Sequence, residues 1–285
     1  MIMEEFVRLV ITEKKAYEYL EKYCWEKGHK KQAKFCPRCK TRRPYLLGAA
    51  RMRCRRCKYT FHSFTGRWIG RMRLSPIQWL WIIKLFELEV SGRKAANQLG
   101  ISYPTLHKAF MTIRKAIVAE MEPELLNGEV EADEAYFGGR RRGKRGRAAF
   151  GKIPVFGLLE RRGNVSVNIV KDVSAESLLK EQVNKFKRGS IVYTDKFKSY
   201  DSLVFCGYHH LKVNHRRGFT RGEVHINSLE GFWSYAKERL LKHHGVDPYY
   251  FPLYLKEMEF RYNNRHKDLF VLLIEKLTNL VPNHL

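Results

Sequence analysis

Between residues 74 and 117, hydrophobic residues recur with a helical period. Residues 74–89 predict a helix with Ser75 as its N-cap and Pro76 at its first position, where proline is favoured. Residues 91–117 predict two more helices joined by a turn at Gly100. This order is typical of a helix-turn-helix, although an ordinary helical hairpin would give the same pattern.

After residue 128 the period becomes that of β-strands. Pro123, Asn127 and Gly128 first break the helical pattern and indicate a hinge near residues 122–128. The elements expected beyond the hinge are strands at residues 129–136, 153–161 and 165–173, a helix at 174–187, strands at 191–194 and 211–214, and helices from 227 onward. Three antiparallel strands followed by strands that alternate with helices form the order of an RNase H-like domain. The predicted class is therefore α/β.

The chain is strongly basic. It has 54 Lys and Arg against 29 Asp and Glu in 285 residues, a formal net charge of +25. Residues 31–73 contain fourteen Lys and Arg and no acid, and residues 138–147 contain six basic residues in ten. Such charge attracts a polyanion with an affinity that falls as salt rises. Because ribosomal and packaging proteins are equally basic, the charge indicates a nucleic-acid partner without indicating an activity.

The apolar content is that of a folded soluble protein. Hydrophobic residues make up 44% of the chain, enough for real cores in about two domains. The longest apolar stretch, residues 77–90, is interrupted by charged side chains, and the first ten residues include acids where a signal peptide needs positive charge. We therefore expect a cytoplasmic, nucleoid-associated protein with no membrane partner.

Four of the six cysteines form two CxxC pairs. The pairs are Cys36 with Cys39 and Cys54 with Cys57, and fourteen residues lie between them. This spacing predicts a zinc ribbon, in which each pair sits on a tight turn and four thiolates close a tetrahedral Zn²⁺ site. Redox pairs or chance are the alternatives. Basic residues within and beside the pairs suit a module that lies on phosphate groups.

The second helix of the predicted helix-turn-helix would enter the major groove of DNA. Its first two turns carry the residues expected to face the groove: Ser102, Tyr103, Thr105, His107 and Lys108. The predicted domains are residues 1–73 with the zinc ribbon and an N-terminal helix, residues 74–122 with the helix-turn-helix, and residues 128–285 with an RNase H-like catalytic domain and C-terminal helices.

Three acidic residues fall at matching points of the predicted RNase H-like domain. Asp133 lies on its first strand, Asp195 ends its fourth, and Glu230 lies on the helix after the fifth. Strand ends and a crossing helix can bring these carboxylates to one point. Two hard divalent cations, Mg²⁺ or Mn²⁺, held about 3.5 to 4 Å apart would activate an attacking oxygen and stabilise the leaving one. The expected chemistry is phosphoryl transfer on nucleic acid.

The helix that carries Glu230 has a polar face. Asn227, Glu230, Ser234 and Lys237 share that face because they are spaced three, four and three residues apart. The face could set a carboxylate on the metal and an ammonium group on a DNA phosphate. Alternatively, Glu230 and Lys237 belong to a solvated charged stripe opposite the core face, which consists of Leu229, Phe232, Trp233, Ala236 and Leu240.

The segments that carry this chemistry resemble one family. ADEAYFGGRRRGKRG, VYTDKFKSY and HINSLEGFWSYAKERL, preceded by CPRC and CRRC, are similar to motifs of the zinc-ribbon insertion-sequence transposases of the DDE type, the bacterial relatives of the Merlin transposases. The resemblance spans residues 25–264. It implies that Asp133, Asp195 and Glu230 are the DDE triad and that Lys237 contacts the terminal DNA.

The third position of the triad has an alternative. Some relatives in the family use an asparagine there, so Asn227 competes with Glu230, and we favour Glu230 for its charge. Glu134 is adjacent to Asp133, but neighbouring strand residues point to opposite faces of a sheet. Only one of these two carboxylates is therefore expected to reach the metal.

The resemblance implies a DNA transposase. Such an enzyme binds the inverted repeats at the ends of its element, cleaves there with water, and joins the freed 3′-hydroxyl to target DNA at one metal site. The ribbon and the helix-turn-helix would recognise the element end, and in the DNA complex we expect a homo-oligomer. A basic loop after the first catalytic strand would hold a DNA backbone beside the metals through Arg140, Arg141, Arg142, Lys144 and Arg145.

Two other functions fit part of the pattern. One is a sequence-specific DNA-binding regulator with an inactive nuclease domain, and the intact triad argues against it. The other is a structure-selective nuclease or resolvase on the RNase H-like fold, which would read DNA shape and need no sequence reader. A metal-dependent cleavage assay separates the enzymes from the regulator.

Overall fold

The computed structural model describes residues 1–282 except residues 28, 29, 32, 49, 122–124, 139–151, 162, 172–186, 188, 195–208 and 213–226. Two compact units divide the chain. The first unit is Met1–Glu120 together with His266–Leu285, and the second is Met121–Arg265. In sequence, the second unit is thus an insertion within the first. None of the helices in the described part of the chain is long and apolar enough to cross a bilayer.

The described elements follow one another in this order. Residues 1–120 contain α1 (Met3–Leu9), α2 (Glu13–Trp25), β1 (Glu26–Lys27), β2 (Lys30–Lys31), β3 (Tyr45–Leu46), β4 (Arg51–Arg53), β5 (Thr60–His62), a 3-10 helix (Trp68–Arg71), α3 (Pro76–Glu87), α4 (Gly92–Leu99) and α5 (Tyr103–Ala119). Residues 121–265 contain β6 (Glu129–Phe137), β7 (Ile153–Glu160), β8 (Val165–Ile169), β9 (Ile191–Thr194), β10 (His209–Lys212), α6 (Asn227–Leu241) and α7 (Phe251–Asn263). The last helix is α8 (Leu269–Thr278).

Helix α3 begins where the sequence predicts. The Ser75 hydroxyl accepts a hydrogen bond from Gln78 N at 3.2 Å, and the Ser75 backbone N–H donates to Gln78 Oε1 at 2.9 Å. This capping box satisfies two backbone N–H groups, those of Ser75 and Gln78, and fixes the start of the helix. Pro76 takes the first helical position.

Helices α4 and α5 form the predicted helix-turn-helix. Helix α4 ends at Gly100, whose φ of 62° lies in the left-handed region that glycine adopts at helix ends. The Ser102 hydroxyl then accepts from Thr105 N at 3.3 Å and caps α5. The prediction that Gly100 turns the chain and that Ser102 or Tyr103 opens the second helix is confirmed.

The C-terminal helix α8 belongs to the first unit. Its buried face consists of Phe270, Leu273, Ile274 and Leu277. The Phe270 ring lies edge-on to Phe6 of α1, with 5.6 Å between the ring centroids. Burial of this apolar face against α2, α3 and α5 therefore completes the core of the N-terminal region.

Arg67 joins three parts of this unit through its buried guanidinium group. Its Nε donates to Ser63 O at 2.8 Å, one terminal nitrogen donates to Cys24 O at 2.7 Å, and the other donates to Thr278 O. The same guanidinium group lies 4.7 Å from the centroid of the Trp25 ring. One side chain therefore holds together the end of α2, the residue that follows β5 and the end of α8.

The compact units differ from the predicted domains in one respect. The ribbon and the helix-turn-helix fall in the same unit, and residues 266–285 join them instead of the catalytic domain. The predicted functional boundaries at residues 73, 122 and 128 stay a prediction, and residues 122–124 of the hinge lie outside the described part.

The second unit is built on a five-stranded sheet with the order β10-β9-β6-β7-β8. Strands β6, β7 and β8 are antiparallel neighbours, whereas β9 is parallel to β6 and β10 is parallel to β9. This is the predicted order of three antiparallel strands followed by strands of the alternating part, with β6 in the centre. The predicted helix at residues 174–187 lies almost entirely outside the described residues.

Alternate residues of the central strands divide the sheet into two apolar faces. Helices α6 and α7 cover the face that includes Ala135 and Phe137 of β6 and Val155 and Leu159 of β7. The residues in between form a second cluster, which consists of Leu126, Val130, Ala132, Phe156, Leu158, Val170 and Val192. Burial on both faces is expected for the central strands of a sheet that connects through helices.

Candidate metal centres and nucleic-acid interface

The four cysteines of the predicted ribbon converge on one point. Their Sγ atoms all lie within 4.8 Å of one another. Cys36 Sγ is 3.7 Å from Cys57 Sγ, and Cys39 Sγ is 3.4 Å from Cys54 Sγ. A tetrahedral zinc–thiolate centre with Zn–S bonds of about 2.3 Å has Sγ–Sγ edges of about 3.8 Å. The arrangement therefore fits a single tetrahedral Zn²⁺ ion.

Both CxxC turns have the same backbone geometry. Cys36 N donates to Thr41 O and Cys54 N donates to Tyr59 O, each at 2.9 Å. The residue after the second cysteine of each pair is a lysine in the left-handed region, with φ 60° at Lys40 and φ 59° at Lys58. A residue with a side chain in that region costs roughly 1–2 kcal/mol. A bound metal ion would offset that cost in both turns.

Cys39 is prepared to bind as a thiolate. The Thr41 hydroxyl lies 3.3 Å from Cys39 Sγ, and interactions with the Thr41 side chain and backbone lower the pKa of the Cys39 thiol to about 6. The thiolate is the form that ligates metal. Cys24, by contrast, is buried beside the cluster, and burial raises its pKa to about 12.

The predicted groove-facing residues lie on the first two turns of α5. Ser102, Tyr103 and Lys108 are exposed, and Thr105 and His107 are partly buried. The Tyr103 ring is 46% exposed and lies 5.8 Å from the His107 ring. Burial, with a smaller contribution from the Arg114 charge, lowers the pKa of His107 from its ordinary value. Lowering this pKa favours the neutral imidazole of His107, and Lys108 is the basic residue of this set.

A basic cleft adjoins the start of α5. The cleft has a volume of about 470 Å³ and lies between residues 71–74 and α5. Arg71, Arg73 and Lys108 line it together with Thr105 and apolar atoms, and no acidic residue of the described part of the chain does. Among the described residues we find no ion pair to any of the three cations. Three uncompensated cations around one cleft form a site that suits phosphate groups.

Asp133 sits on the central strand β6 under helix α6. Across the ladder it faces Gly157 of β7. Its Oδ2 accepts a hydrogen bond from Trp233 Nε1 at 3.1 Å. Trp233 lies three residues after Glu230 on α6. Glu230 is therefore about one helical turn before the residue that contacts Asp133.

Gly157 allows this contact because it has no side chain. A Cβ at this position would lie 2.4 Å from Trp233 Cζ2 and 2.6 Å from Trp233 Cη2. Leu229 Cδ1 would lie 3.2 Å away. Any larger residue opposite Asp133 would therefore push the first two turns of α6 away from the sheet.

Helix α6 presents the predicted polar face to solvent. Asn227, Glu230, Ser234 and Lys237 are exposed, whereas the core face is buried through Leu229, Phe232, Trp233 and Ala236. Lys237 Nζ lies 5.8 Å from the centroid of the Phe137 ring at the end of β6. Asn227 is the first residue of the helix, so both predicted third ligands lie in its first turn.

Glu134 and Asp133 lie on different faces of the sheet. Glu134 is paired with Phe156, which belongs to the apolar cluster on the face away from α6. Only Asp133 is on the face with α6. The expectation that the two neighbouring carboxylates diverge therefore agrees with the strand geometry.

Several predicted site residues lie outside the described part of the chain. They are Asp195 and the basic loop residues Arg140, Arg141, Arg142, Lys144 and Arg145. Asp195 follows directly on Thr194, the last residue of β9. Among the described residues, the cysteine cluster is the only group of three or more side chains that could hold a metal ion. The carboxylate triad stays a prediction.

Sequence reasoning missed one buried acid near Asp133. Glu131 is 0% exposed, and its Oε2 accepts a hydrogen bond from Leu229 N at 2.9 Å. Arg161 Nε lies 3.3 Å from Glu131 Oε1. Glu131 is two residues before Asp133, so the two side chains share one face of the strand. This spacing could have indicated from the sequence that Glu131 lies near the site. Trp233 was assigned to the core face, and its hydrogen bond to Asp133 was not foreseen.

Comparisons with known proteins agree with the predicted resemblance. Residues 125–263 match the model of the ISXO2-like transposase domain, and residues 11–60 match that of the transposase zinc-ribbon domain. With the sheet order and the cysteine cluster, these matches confirm the predicted fold class.

The chain is similar to two curated proteins, one described as transposase-like and the other as a protein in a transposable element. An "Uncharacterized transposase-like protein" of Haemophilus influenzae is 38% identical over 109 residues, which cover 38% of this chain and 89% of the relative. An "Uncharacterized protein in transposable element ISH50" of Halobacterium salinarum is 27% identical over 278 residues, which cover 90% of this chain and 92% of the relative.

Solved structures with a weaker likeness are complexes of the Mos1 transposase. The Mos1 mariner paired-end complex with Mn is 11% identical with a TM-score of 0.29, over 69% of this chain and 74% of that chain. The Mos1 strand transfer complex is 13% identical with a TM-score of 0.28, over 70% and 73% of the two chains.

Proposed function

The chain belongs to the ISXO2-like transposase family, and from that premise we propose that it is a DDE-type DNA transposase. In this proposal it binds the terminal inverted repeats of its element as double-stranded DNA. It cleaves the element ends and joins the freed 3′-hydroxyl to target DNA. A homo-oligomer would hold the two ends together.

The observation that carries the proposal is the hydrogen bond from Trp233 Nε1 to Asp133 Oδ2 at 3.1 Å. It fixes the start of α6, with Glu230 and Asn227, over the strand that carries Asp133. Carboxylates are the ligands that Mg²⁺ and Mn²⁺ prefer. We assign Asp133, Asp195 and Glu230 as the ligands of two such ions, which when bound activate the attacking oxygen and stabilise the leaving oxygen.

The residues of the chain itself orient the DNA around that site. Lys237, two turns after Glu230 on the exposed face of α6, would hold a phosphate of the terminal DNA. The basic loop that contains Arg140, Arg141, Arg142, Lys144 and Arg145 would hold the backbone near the end of β6. Trp233 would keep the Asp133 carboxylate turned toward α6 through its indole N–H.

Recognition of the element end is assigned to the first unit. The four cysteines would hold one structural Zn²⁺ that folds the ribbon. The exposed start of α5 would enter the major groove with Tyr103, Thr105, His107 and Lys108, while Ser102 caps the helix. Arg71 and Arg73 in the cleft beside α5 would hold phosphate groups and set the register of the helix on the duplex.

The test is Mg²⁺-dependent cleavage of a duplex that carries the terminal repeat, with repeat binding measured in parallel. We expect Asp133→Asn to reduce cleavage by about 1,000-fold or more, because removing a metal ligand removes several kcal/mol of charge stabilisation. Repeat binding should stay near that of the wild type. The matched control is Glu134→Gln, which neutralises the next carboxylate on the opposite face of β6.

The same assay discriminates the alternatives. Full activity of Asp133→Asn would contradict the metal mechanism. Repeat binding without cleavage by the wild-type protein would identify a regulator, and cleavage of branched DNA of any sequence would identify a structure-selective nuclease. Full activity of Glu230→Gln with loss of activity in Asn227→Ala would assign the third ligand to Asn227.

Lys237→Ala should weaken the hold on terminal DNA more than it affects metal binding.

A further inference from the structure

We propose that Glu131 and Arg161 are positioning residues. They would hold in place the strands and the helix of the second unit that carry or adjoin the proposed metal ligands. The inference rests on the proposed function, because it assumes that Asp133, Asp195 and Glu230 bind metal. Neither Glu131 nor Arg161 belongs to the predicted triad. Their contacts nevertheless involve β6, which carries Asp133, α6, which carries Glu230, and β9, whose last residue precedes Asp195 in the sequence.

Glu131 anchors the start of helix α6 from the sheet. Its carboxylate is fully buried, and its Oε2 accepts a hydrogen bond from Leu229 N at 2.9 Å. Leu229 is the third residue of α6, and the N–H groups of a first helical turn have no acceptor within the helix. A carboxylate at this end also interacts favourably with the helix dipole. Glu131 thus acts as an N-terminal cap supplied by a different element.

This cap lies next to two of the proposed ligands. Leu229 directly precedes Glu230 in α6, so the bond to Glu131 fixes the backbone beside the Glu230 carboxylate. Glu131 is also two residues before Asp133 on β6 and shares its face of the sheet. The distance between the two ligand-bearing backbones is therefore set in part by one buried carboxylate.

Arg161 ties Glu131 to the neighbouring strand. Its Nε lies 3.3 Å from Glu131 Oε1, and its Nη1 donates to Glu129 Oε2 at 2.6 Å. Its guanidinium group lies 3.8 Å from the centroid of the Tyr193 ring, and the Tyr193 hydroxyl donates to Glu129 Oε2 at 3.2 Å. The Arg161 backbone is held as well, because its N–H donates to Glu129 O at 2.9 Å.

Tyr193 brings the third ligand element into this network. It belongs to β9, and its partner across the parallel ladder is Glu131. Asp195 follows two residues later in the sequence, beyond the last described residue of that strand. One arginine thus contacts two acids of β6 and the tyrosine of β9, while one of those acids holds α6.

A positioning role and a purely stabilising role make different predictions. An ion pair that only stabilises the fold would, when broken, lower the folded fraction and reduce activity equally at every metal concentration. A network that orients ligands would change the affinity for the metal ions, typically by about 10- to 100-fold in proteins. The dissociation constant for the metal ion is therefore the quantity that separates the two.

The experiment measures Mn²⁺ binding to full-length, zinc-loaded protein from the paramagnetic resonance signal of free Mn²⁺. We expect Glu131→Gln and Arg161→Gln to raise the Mn²⁺ dissociation constant by about 10- to 100-fold. The Mg²⁺ concentration for half-maximal cleavage should rise by a similar factor, and saturating Mg²⁺ should restore most of the cleavage rate. Arg161→Lys keeps the charge but loses the fork geometry, and we expect an intermediate shift.

The matched control is Arg261→Gln, which breaks a buried ion pair within α7. Arg261 Nε donates to Glu257 Oε1 at 2.8 Å, and both side chains are buried, as is that of Glu131. This variant should melt at a lower temperature and keep the wild-type dissociation constant for Mn²⁺. An equal shift in the control would show that any loss of stability weakens metal binding, and would overturn the positioning role.

The outcomes also separate this inference from the proposed function. If Asp133→Asn abolishes Mn²⁺ binding while Glu131→Gln and Arg161→Gln keep the wild-type dissociation constant, only the positioning role is wrong. If the wild-type protein shows no Asp133-dependent Mn²⁺ binding and no cleavage, the proposed function is wrong and the inference falls with it. Should Glu131→Gln not fold, Arg161→Lys decides, and an unchanged dissociation constant in that variant overturns the role.

Discussion

Cysteines 21 positions apart meet in the ribbon, whereas the Trp233 and Asp133 side chains that meet over the catalytic sheet are 100 positions apart. In the ribbon, two tight turns and their backbone hydrogen bonds set the positions of the thiols. In the second unit, the packing of α6 on β6 and β7 brings the Trp233 indole to the Asp133 carboxylate. The first arrangement is local in sequence, and the second depends on the fold of the unit.

This difference determines what each centre needs in order to exist. In its described residues the ribbon has strands of two or three residues and a small apolar cluster around its cysteines, so a bound metal ion would contribute to its folding. The catalytic sheet has apolar clusters on both faces and is expected to fold without divalent ions. Zinc would therefore be part of the structure of one unit, and Mg²⁺ or Mn²⁺ would be a ligand of the other.

The largest effect is expected from removal of the ribbon metal. Cys54→Ser deletes one thiolate ligand, and structural zinc contributes about 10–16 kcal/mol of binding free energy in small zinc modules. We expect the variant to lose zinc and to lose preference for the terminal repeat. Elemental analysis and repeat binding measure both outcomes.

Cys24→Ser is the control for that substitution. Cys24 is buried in the same cluster without taking part in the four-thiol group, so the variant should keep one zinc per chain. Its buried hydroxyl should destabilise the unit by only about 1–3 kcal/mol. Purified wild-type protein with no zinc and intact repeat binding would contradict the ribbon interpretation.

The next prediction tests whether the core of the first unit, unlike its metal centre, depends on residues that are far apart in sequence. Leu273→Ala in α8 removes a fully buried side chain and should destabilise the unit by about 2–5 kcal/mol. Hydrogen exchange should then accelerate in α3 and α5, far away in sequence, and stay unchanged in β6 and β7. Leu88→Ala in the same unit is the control, because Leu88 is 51% exposed and its loss should change stability by less than about 0.5 kcal/mol.

A smaller effect is expected in the catalytic unit from Gly157→Ala. The added methyl group would overlap the Trp233 ring, and such overpacking typically costs about 1–3 kcal/mol. Displacement of α6 should also lower Mg²⁺-dependent cleavage without changing zinc content. Urea denaturation and the cleavage assay measure these changes.

Gly231→Ala provides a control of opposite sign. A Cβ at Gly231 meets no atom within 4 Å, and alanine in place of a helical glycine should stabilise α6 by about 0.5–1 kcal/mol. If Gly157→Ala is as stable and active as the wild type, close approach of Trp233 to β7 is not what positions the helix.

The smallest effect concerns the basic cleft beside α5. Arg73→Ala should reduce the slope of log affinity against log salt by about 0.9 for each lost phosphate contact. The loss of affinity should be similar for repeat and random duplex, because a phosphate contact carries no sequence information. Lys22→Ala on α2, which does not line the cleft, should keep the wild-type slope. An unchanged slope in Arg73→Ala would remove the cleft from the DNA interface.

Local patterns made much of the first unit predictable from sequence. The capping box at Ser75, the turn at Gly100 and the two CxxC turns each depend on residues within a few positions of one another. The place of α8 was not predictable in this way. The apolar spacing of residues 269–278 indicates a buried helix, but it does not specify which core buries it.

In the second unit, the strands and the face of α6 were predictable, and the partners of the site residues were not. The segment VEADEA contains three acids: Glu131 is buried, Asp133 faces Trp233, and Glu134 lies on the other face. Strand period separates Glu134 from the other two. It does not tell a helix-capping carboxylate from a metal ligand, because that distinction depends on α6, about 100 residues later.

The insertion of the second unit within the first has a consequence for synthesis of the chain. Chains fold as they leave the ribosome, N-terminal regions first. Phe6 packs against Phe270 as well as against Trp81, so the core of the N-terminal region is complete only when nearly the whole polypeptide has been made. The catalytic unit, whose residues are contiguous, can be complete earlier. A chain that stops before α8 would therefore lack part of the core of the first unit, and under the proposed function it would not compete with complete copies for the ends of the element.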